Sequence, residues 1–320
     1  MAAARPFLIA HRGASGERPE HTLAAYARGV RQGADALEPD LVPTRDGVLV
    51  ARHENEISET TDVAAHAAFA DRRATKTIDG VERTGWFTED FDLAELKRLR
   101  AVERLPHLRP SSAAHDGRYE IPTLAEILAL VRQLEAELGR PVGVYPEIKH
   151  PATFARLGLD LEPRVAEELA AAGYRGRADP AWIQSFEPDS LRTLRGLTDL
   201  RLVQLVDLPA AGRLGPDELT EIATYADVLG PHKHLVVPVQ DDGALAGPTD
   251  LVRDAHAAGL AVHAWTVRAE NAFLPPALRS SDDDAAHGDL DAEVRALVAA
   301  GVDGLFSDHP AQAAAALARS

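Results

Sequence analysis

From Thr123 onward, short apolar runs alternate with longer stretches in which apolar residues return at helical spacing. Residues 124–138 carry such a stripe behind Thr123, a natural N-cap, and lead into the strand-like run Val142-Gly143-Val144-Tyr145-Pro146-Glu147-Ile148-Lys149. Helical stretches at 161–172, 188–197, 217–225, 248–258 and 292–300 then alternate with strand-like runs at 182–186, 202–206, 228–229, 261–267 and 304–308. The N-terminal part has the same rhythm. A strand at 7–10 precedes a helix near 21–30, capped by Thr22 and ended by Gly33, and a strand at 36–41 follows. After the tight-turn signal Asp46-Gly47 comes one more apolar run, 48–53. Alternation of this kind predicts a parallel sheet, and this many units predict an α/β fold closed into a (β/α)8 TIM barrel. Nine strand-like runs compete for eight places, so either the run near Val228 or one of the early pair must lie outside the barrel.

Residues 54–118 break the rhythm, with the basic stretch Arg72-Arg73-Ala74-Thr75-Lys76, the pair Trp86-Phe87 and a short helical stripe at 93–99. Long insertions tend to sit on functional loops, so this stretch is expected to form a cap over the barrel mouth, inserted after the third strand of a single domain spanning 1–320. Trp86 and Phe87 are expected to pack inside the cap.

Polar residues punctuate the apolar runs where barrel enzymes keep their chemistry, at strand ends. Leu8-Ile9-Ala10 stops at His11-Arg12-Gly13, and Val48 to Ala51 stops at Arg52-His53. Glu38 and Asp40, two apart on one strand, project from the same face, as do Glu147 and Lys149. Paired carboxylates on a buried face repel unless a proton or cation lies between them. Three carboxylates offer an all-oxygen set, which suits Ca²⁺ best, with Mg²⁺ as the alternative, and suits zinc poorly. A bare wet edge for the first pair, or a buried ion pair for the second, is the blander reading. Phe186 and Trp265 end strands, and Gln184 shares a face with Phe186. His263 is expected to be a buried, hydrogen-bonded side chain and the Asp282 to Asp284 run a solvated loop.

Composition narrows the partners. With 34 basic and 50 acidic residues the net charge is −16, which argues against nucleic acid or an anionic membrane. Any phosphate substrate must be held by local cations, of which Arg12, Arg52 and Lys149 are candidates. The absence of cysteine excludes disulfides and thiolate chemistry. Met1 to Pro6 is too short for a signal peptide and no run reaches transmembrane length. A soluble protein is expected, cytoplasmic as written, or secreted or periplasmic if a leader has been removed. Oligomeric state leaves no trace in the sequence.

His11-Arg12-Gly13, Pro19-Glu20-His21-Thr22, Glu38-x-Asp40, His53 and Glu147-x-Lys149 together resemble the signature of the glycerophosphodiester phosphodiesterases. These belong with phosphatidylinositol-specific phospholipase C among the barrel phosphodiesterases, and the insertion resembles that of the larger bacterial, periplasmic-type members. Two departures stand out: the family usually has Asn where His21 stands and often Asp where Glu54 stands, and neither falls on a position assigned here to chemistry. The resemblance implies that Glu38, Asp40 and Glu147 bind the metal, His11 and His53 act as general acid and base, and Arg12 and Lys149 hold the phosphate. It also implies that Gln184, Phe186 and Trp265 line the substrate pocket. The expected activity is hydrolysis of glycerophosphodiesters such as glycerophosphocholine to glycerol 3-phosphate and an alcohol. Rival readings are a phospholipase D-like or lysophospholipid-cleaving barrel and a phosphate-ester binder without turnover, against which both histidines count.

Overall fold

A computed structural model of the chain describes residues 5–210 and 214–320. Met1 to Ala4, part of the segment weighed as a leader, lie outside the described residues. Strands β1 (Phe7–His11), β2 (Ala36–Glu38), β3 (Asp40–Pro43) and β4 (Leu49–Ala51) come first, followed by the hairpin β5 (Ala74–Ile78) and β6 (Val81–Gly85). Then come β7 (Gly143–Val144), β8 (Glu147–Ile148), β9 (Trp182–Ser185), β10 (Arg201–Val206), β11 (Val228–Pro231), β12 (Ala261–Val267) and β13 (Gly304–Ser307). Pro39 splits one barrel strand into β2 and β3, and Tyr145-Pro146 splits the next into β7 and β8, since proline cannot donate to a ladder.

Eight strand positions therefore close a ring through parallel pairing alone. β1 pairs with β2, which pairs with β7; β3 pairs with β8, then β9, β10, β11, β12 and β13 follow in turn, and β13 returns to β1. The ninth run is settled by β4, which turns back antiparallel onto β3 and stands outside the ring, while the run near Val228 takes its place as β11.

Between barrel and helices lies the larger apolar core. The helix Leu124–Leu138 contributes Leu124, Ile127, Val131 and Leu134, and a capping box joins Thr123 to Glu126 at its start. The helix Leu23–Arg31 starts at Thr22, whose hydroxyl accepts from the amide of Ala25. Its entry depends on Gly13 at φ +88, where an added Cβ would meet the Ala25 backbone at 2.4 Å.

Inside the ring a smaller cluster packs Ile9, Ala36, Tyr145, Trp182, Val203, Leu205, Val228 and Phe306. Counting two residues onward along these strands reaches His11, Glu38, Glu147 and Gln184. The apolar plug is thus the floor on which polar strand ends stand. His263 lies one layer below Trp265, where its Nδ1 shares a 2.9 Å hydrogen bond with Tyr145 Oη. It is a structural histidine, as expected.

Residues 54–118 contain only short helical turns and the β5–β6 hairpin. Trp86 and Phe87 pack inward, Trp86 Nε1 donating to the carbonyl of Phe69 at 2.6 Å. Asp282 to Asp284 are exposed. Among the described residues no helix is long and apolar enough to cross a membrane.

Candidate active site

A cavity of about 390 Å³ opens at the C-terminal ends of the barrel strands. His11, Arg12, Glu38, His53, Glu147 and Lys149 line it, joined by Gln184, Phe186 and Trp265. Asp40 completes the set from beneath: carboxylate oxygens of Glu38, Asp40 and Glu147 lie within 4.8 Å of one another, and all three residues are buried. Parity explains the convergence, since each carboxylate sits on the inward phase of its strand and β3 and β8 bring Asp40 and Glu147 into register.

Crowding divides the three. Burial, and then repulsion from Asp40, raises Glu38 well above the usual carboxylate range. Glu147 is pushed up to about 8, again by burial first, against the pull of Lys149. Asp40 is held well below its usual value, because Lys149, Arg12 and a hydrogen bond from His21 outweigh its burial. Lys149 Nζ donates to Glu147 Oε1 at 2.8 Å and lies 3.7 Å from Asp40 Oδ1. Arg12 donates its backbone amide to Glu38 Oε2 at 2.9 Å, and its Nε sits 3.2 Å from Asp40 Oδ2. Carboxylates this close together, two of them resisting ionisation, are a group that could hold a cation, and an all-oxygen donor set fits a hard one.

Both histidines are held neutral. Loss of water around the ring, then the charge of Arg12, lowers His11 to about 4 although Asp308 opposes this. The same causes with Lys149 lower His53 to about 3. The ionised Asp308 can only accept, so His11 donates from Nδ1 to Asp308 Oδ1 at 2.6 Å and keeps a lone pair on Nε2. Asp308 is fixed in turn by Arg109 at 2.6 Å and Arg268 at 2.8 Å.

Neutral histidines, three buried and two partly exposed, carry a consequence for stability. His11, His53, His232, His263 and His309 are all lowered to about 3 or 4, in each case by loss of water first. Unfolded histidines bind protons below about pH 6.5, whereas these do not until about pH 4. Their stability contribution is present above pH 6.5 and lost as the pH falls toward 4. Calorimetry over that window should show Tm falling by at least roughly 10 °C, given about 2–4 °C for each kcal/mol lost in a large domain.

Other expected residues are placed differently. Arg52 is buried beneath the site, its guanidinium 3.4 Å from the carbonyls of Glu20, His21 and Thr60, and it does not line the cavity. Gln184 Nε2 donates to Glu38 Oε1 at 3.0 Å. Phe186 meets Trp265 edge-on at 5.8 Å and is 42% exposed, while Trp265 Nε1 donates to the Gly230 carbonyl at 2.8 Å.

Sequence reading missed several partners, and both departures from the family pattern touch the site after all. His21 Nε2–H donates to Asp40 Oδ2 at 2.9 Å while Tyr26 Oη–H donates to its Nδ1 at 2.8 Å. Glu54 Oε1 lies 3.1 Å from His53 Nδ1. Asp308 was legible as the inward residue two beyond Phe306, whereas Arg109 comes from the irregular segment and gives no periodic signal.

A sequence model of the Glycerophosphoryl diester phosphodiesterase family matches residues 11–312. The chain belongs to that family. Its relatives include glycerophosphodiester phosphodiesterase GDPD6 of Arabidopsis thaliana, 37% identical over 95% of this chain and 84% of the relative. Glycerophosphodiester phosphodiesterase of Haemophilus influenzae is 30% identical over 82% of this chain and 78% of its own. In structure the fold is similar to an Oleispira antarctica phosphodiesterase solved with the product sn-glycerol-3-phosphate, at a TM-score of 0.65, 22% identity, and coverage of 98% of this chain and 97% of that one. Family members are phosphoric diester hydrolases built on TIM-barrel-like folds, and this chain is one such enzyme.

Proposed function

We propose that the chain is a metal-dependent glycerophosphodiester phosphodiesterase that hydrolyses small diesters such as glycerophosphocholine to glycerol 3-phosphate and an alcohol. The observation that carries this reading is the meeting of His11, His53 and the three carboxylates at one cavity beside Arg12 and Lys149. Glu38, Asp40 and Glu147 would hold one divalent ion, Ca²⁺ by preference. When bound, that ion supplies positive charge to the nonbridging phosphate oxygens.

The chain's own groups do the rest. Arg12 and Lys149 attract the phosphodiester and orient it. One imidazole accepts a proton at Nε2 from the attacking glycerol hydroxyl beside the phosphate, and the other delivers a proton to the departing alkoxide, leaving a cyclic phosphate that water then opens. The negative charge of the arriving phosphate raises imidazole basicity, which lets one ring carry the proton it must give. Phe186 and Trp265 form an apolar wall suited to glycerol carbons, with Gln184 steadying Glu38 at its base. Residues 54–118 act as a cap over the mouth of one barrel domain, since Arg104 and Leu105 line the cavity from that segment.

Glycerol 3-phosphate release from glycerophosphocholine, measured with and without chelator, tests the whole. Activity should vanish with chelator and return with Ca²⁺ or Mg²⁺. Tight binding without turnover, or preference for an acylated substrate, would overturn the reading.

A further inference from the structure

The β5–β6 hairpin is washed by solvent along most of its length, yet its tip is engaged. Asp79 and Gly80, at φ +48 and +82, make the turn between Ile78 and Val81, in the manner of the tight hairpin turns that need positive φ at both central positions. From that tip Asp79 Oδ2 accepts a hydrogen bond from His150 Nδ1 at 2.5 Å, and Oδ1 accepts from Thr153 Oγ1 at 3.1 Å. His150 immediately follows Lys149, and its Nε2 donates to Glu54 Oε2 at 3.3 Å. The other oxygen of Glu54, Oε1, faces His53 Nδ1 at 3.1 Å. Three separate segments thus form an unbroken line of side chains from an exposed turn to an imidazole of the cavity.

We propose that Asp79, His150 and Glu54 are positioning residues that hold His53 with its proton on Nδ1, leaving Nε2 free for proton transfer. The inference rests on the reading of His53 as a proton-transfer group.

Charge and backbone geometry agree. Both nitrogens of His150 face carboxylates, which accept only, so the ring carries two protons; Glu54 and Asp79 raise its pKa in spite of burial. Glu54 is held well below the carboxylate range, since the hydrogen bond from His150 and the close approach of His53 Nδ1 outweigh its burial. Arg83, also on the hairpin, adds a cation 3.8 Å from Glu54 Oε2. Among the described residues only Arg12, His21, Asp79 and His150 are non-glycine residues at positive φ. Two touch the carboxylate triad directly and two belong to this line. Such conformations cost energy and cluster at functional sites, where surrounding contacts hold them in place. His11 needs no comparable device, because its carboxylate, Asp308, is buried and gripped by two arginines. Glu54 is partly exposed, and the hairpin supplies the missing grip.

Asp79→Asn and Glu54→Gln separate this role from mere packing. Asparagine tolerates the left-handed turn and keeps the size of aspartate. With glycerophosphocholine as substrate, kcat should fall roughly 10- to 100-fold in Glu54→Gln and by several-fold in Asp79→Asn, as loss of an orienting partner typically does. KM and Tm should stay near wild-type values, and Glu54→Asp should recover part of the rate. Nitrogen NMR of the histidine rings should report the Nδ1–H form of His53 in the wild type and a mixture of forms in both variants. Unchanged kcat with an unchanged ring signal in both variants would overturn the proposal, as would losses of rate that merely follow losses of Tm. If the wild-type protein releases no glycerol 3-phosphate, the functional reading fails, and the ring signals alone still decide whether this line of residues sets the state of His53.

Discussion

Alanine at His11 or at His53 is expected to lower kcat on glycerophosphocholine by roughly 10²–10⁴-fold, the usual contribution of a positioned acid or base. That corresponds to about 3–5 kcal/mol of transition-state stabilisation at roughly 1.4 kcal/mol per tenfold. KM should change little, because Arg12 and Lys149 still meet the phosphate. The fold should survive. Removing His11 does not strand Asp308, which retains Arg109 at 2.6 Å and Arg268 at 2.8 Å, so no buried charge is left without a partner. A substrate with a nitrophenolate leaving group then sorts the two roles. Such a group departs without help from an acid, so the variant lacking the acid should regain most of its rate and the variant lacking the base should not. A drop below tenfold in both variants would remove the acid–base pair from the mechanism.

Glu38→Gln is expected to abolish turnover while making the metal-free protein more stable. The carboxyl is raised well above its usual range by burial and by Asp40, so its ionised form is strained in the folded state. An amide relieves that strain and can keep a bond from the Arg12 amide, which now reaches Glu38 at 2.9 Å. In the wild-type protein added Ca²⁺ should raise Tm, by the equivalent of about 2.7 kcal/mol at a hundredfold excess over Kd. In the variant this increment should be largely lost. Thermal scans with and without Ca²⁺ check both halves. An equal response to the ion in the two proteins would show that Glu38 is no ligand.

Much of this architecture was legible because its signals are periodic. The helix Leu124–Leu138 and the strand Ala261–Val267 carry stripes that read without ambiguity, and the cap at Thr123 fixes a boundary. What periodicity cannot supply is direction. Leu49–Ala51 has the same apolar character as its neighbours, and only its antiparallel pairing with β3 excludes it from the ring. The Asp79-Gly80 turn carried a hairpin signal that the basic flank before it obscured. Within the site, Glu38, Asp40 and Glu147 could be found by parity on their strands. His21, Arg109 and His150 could not, because they lie in loops whose backbone takes its course from tertiary contacts, and nothing in local sequence spacing reports which partner a loop side chain will meet.

The bond between His11 and Asp308 joins positions 297 residues apart. A chain emerging from the ribosome would therefore complete the carboxylate triad Glu38, Asp40 and Glu147 long before the carboxylate bonded to His11 has been synthesised. Fragments cut short before the last strand should be unable to turn over substrate, which ties the onset of hydrolysis to a finished polypeptide.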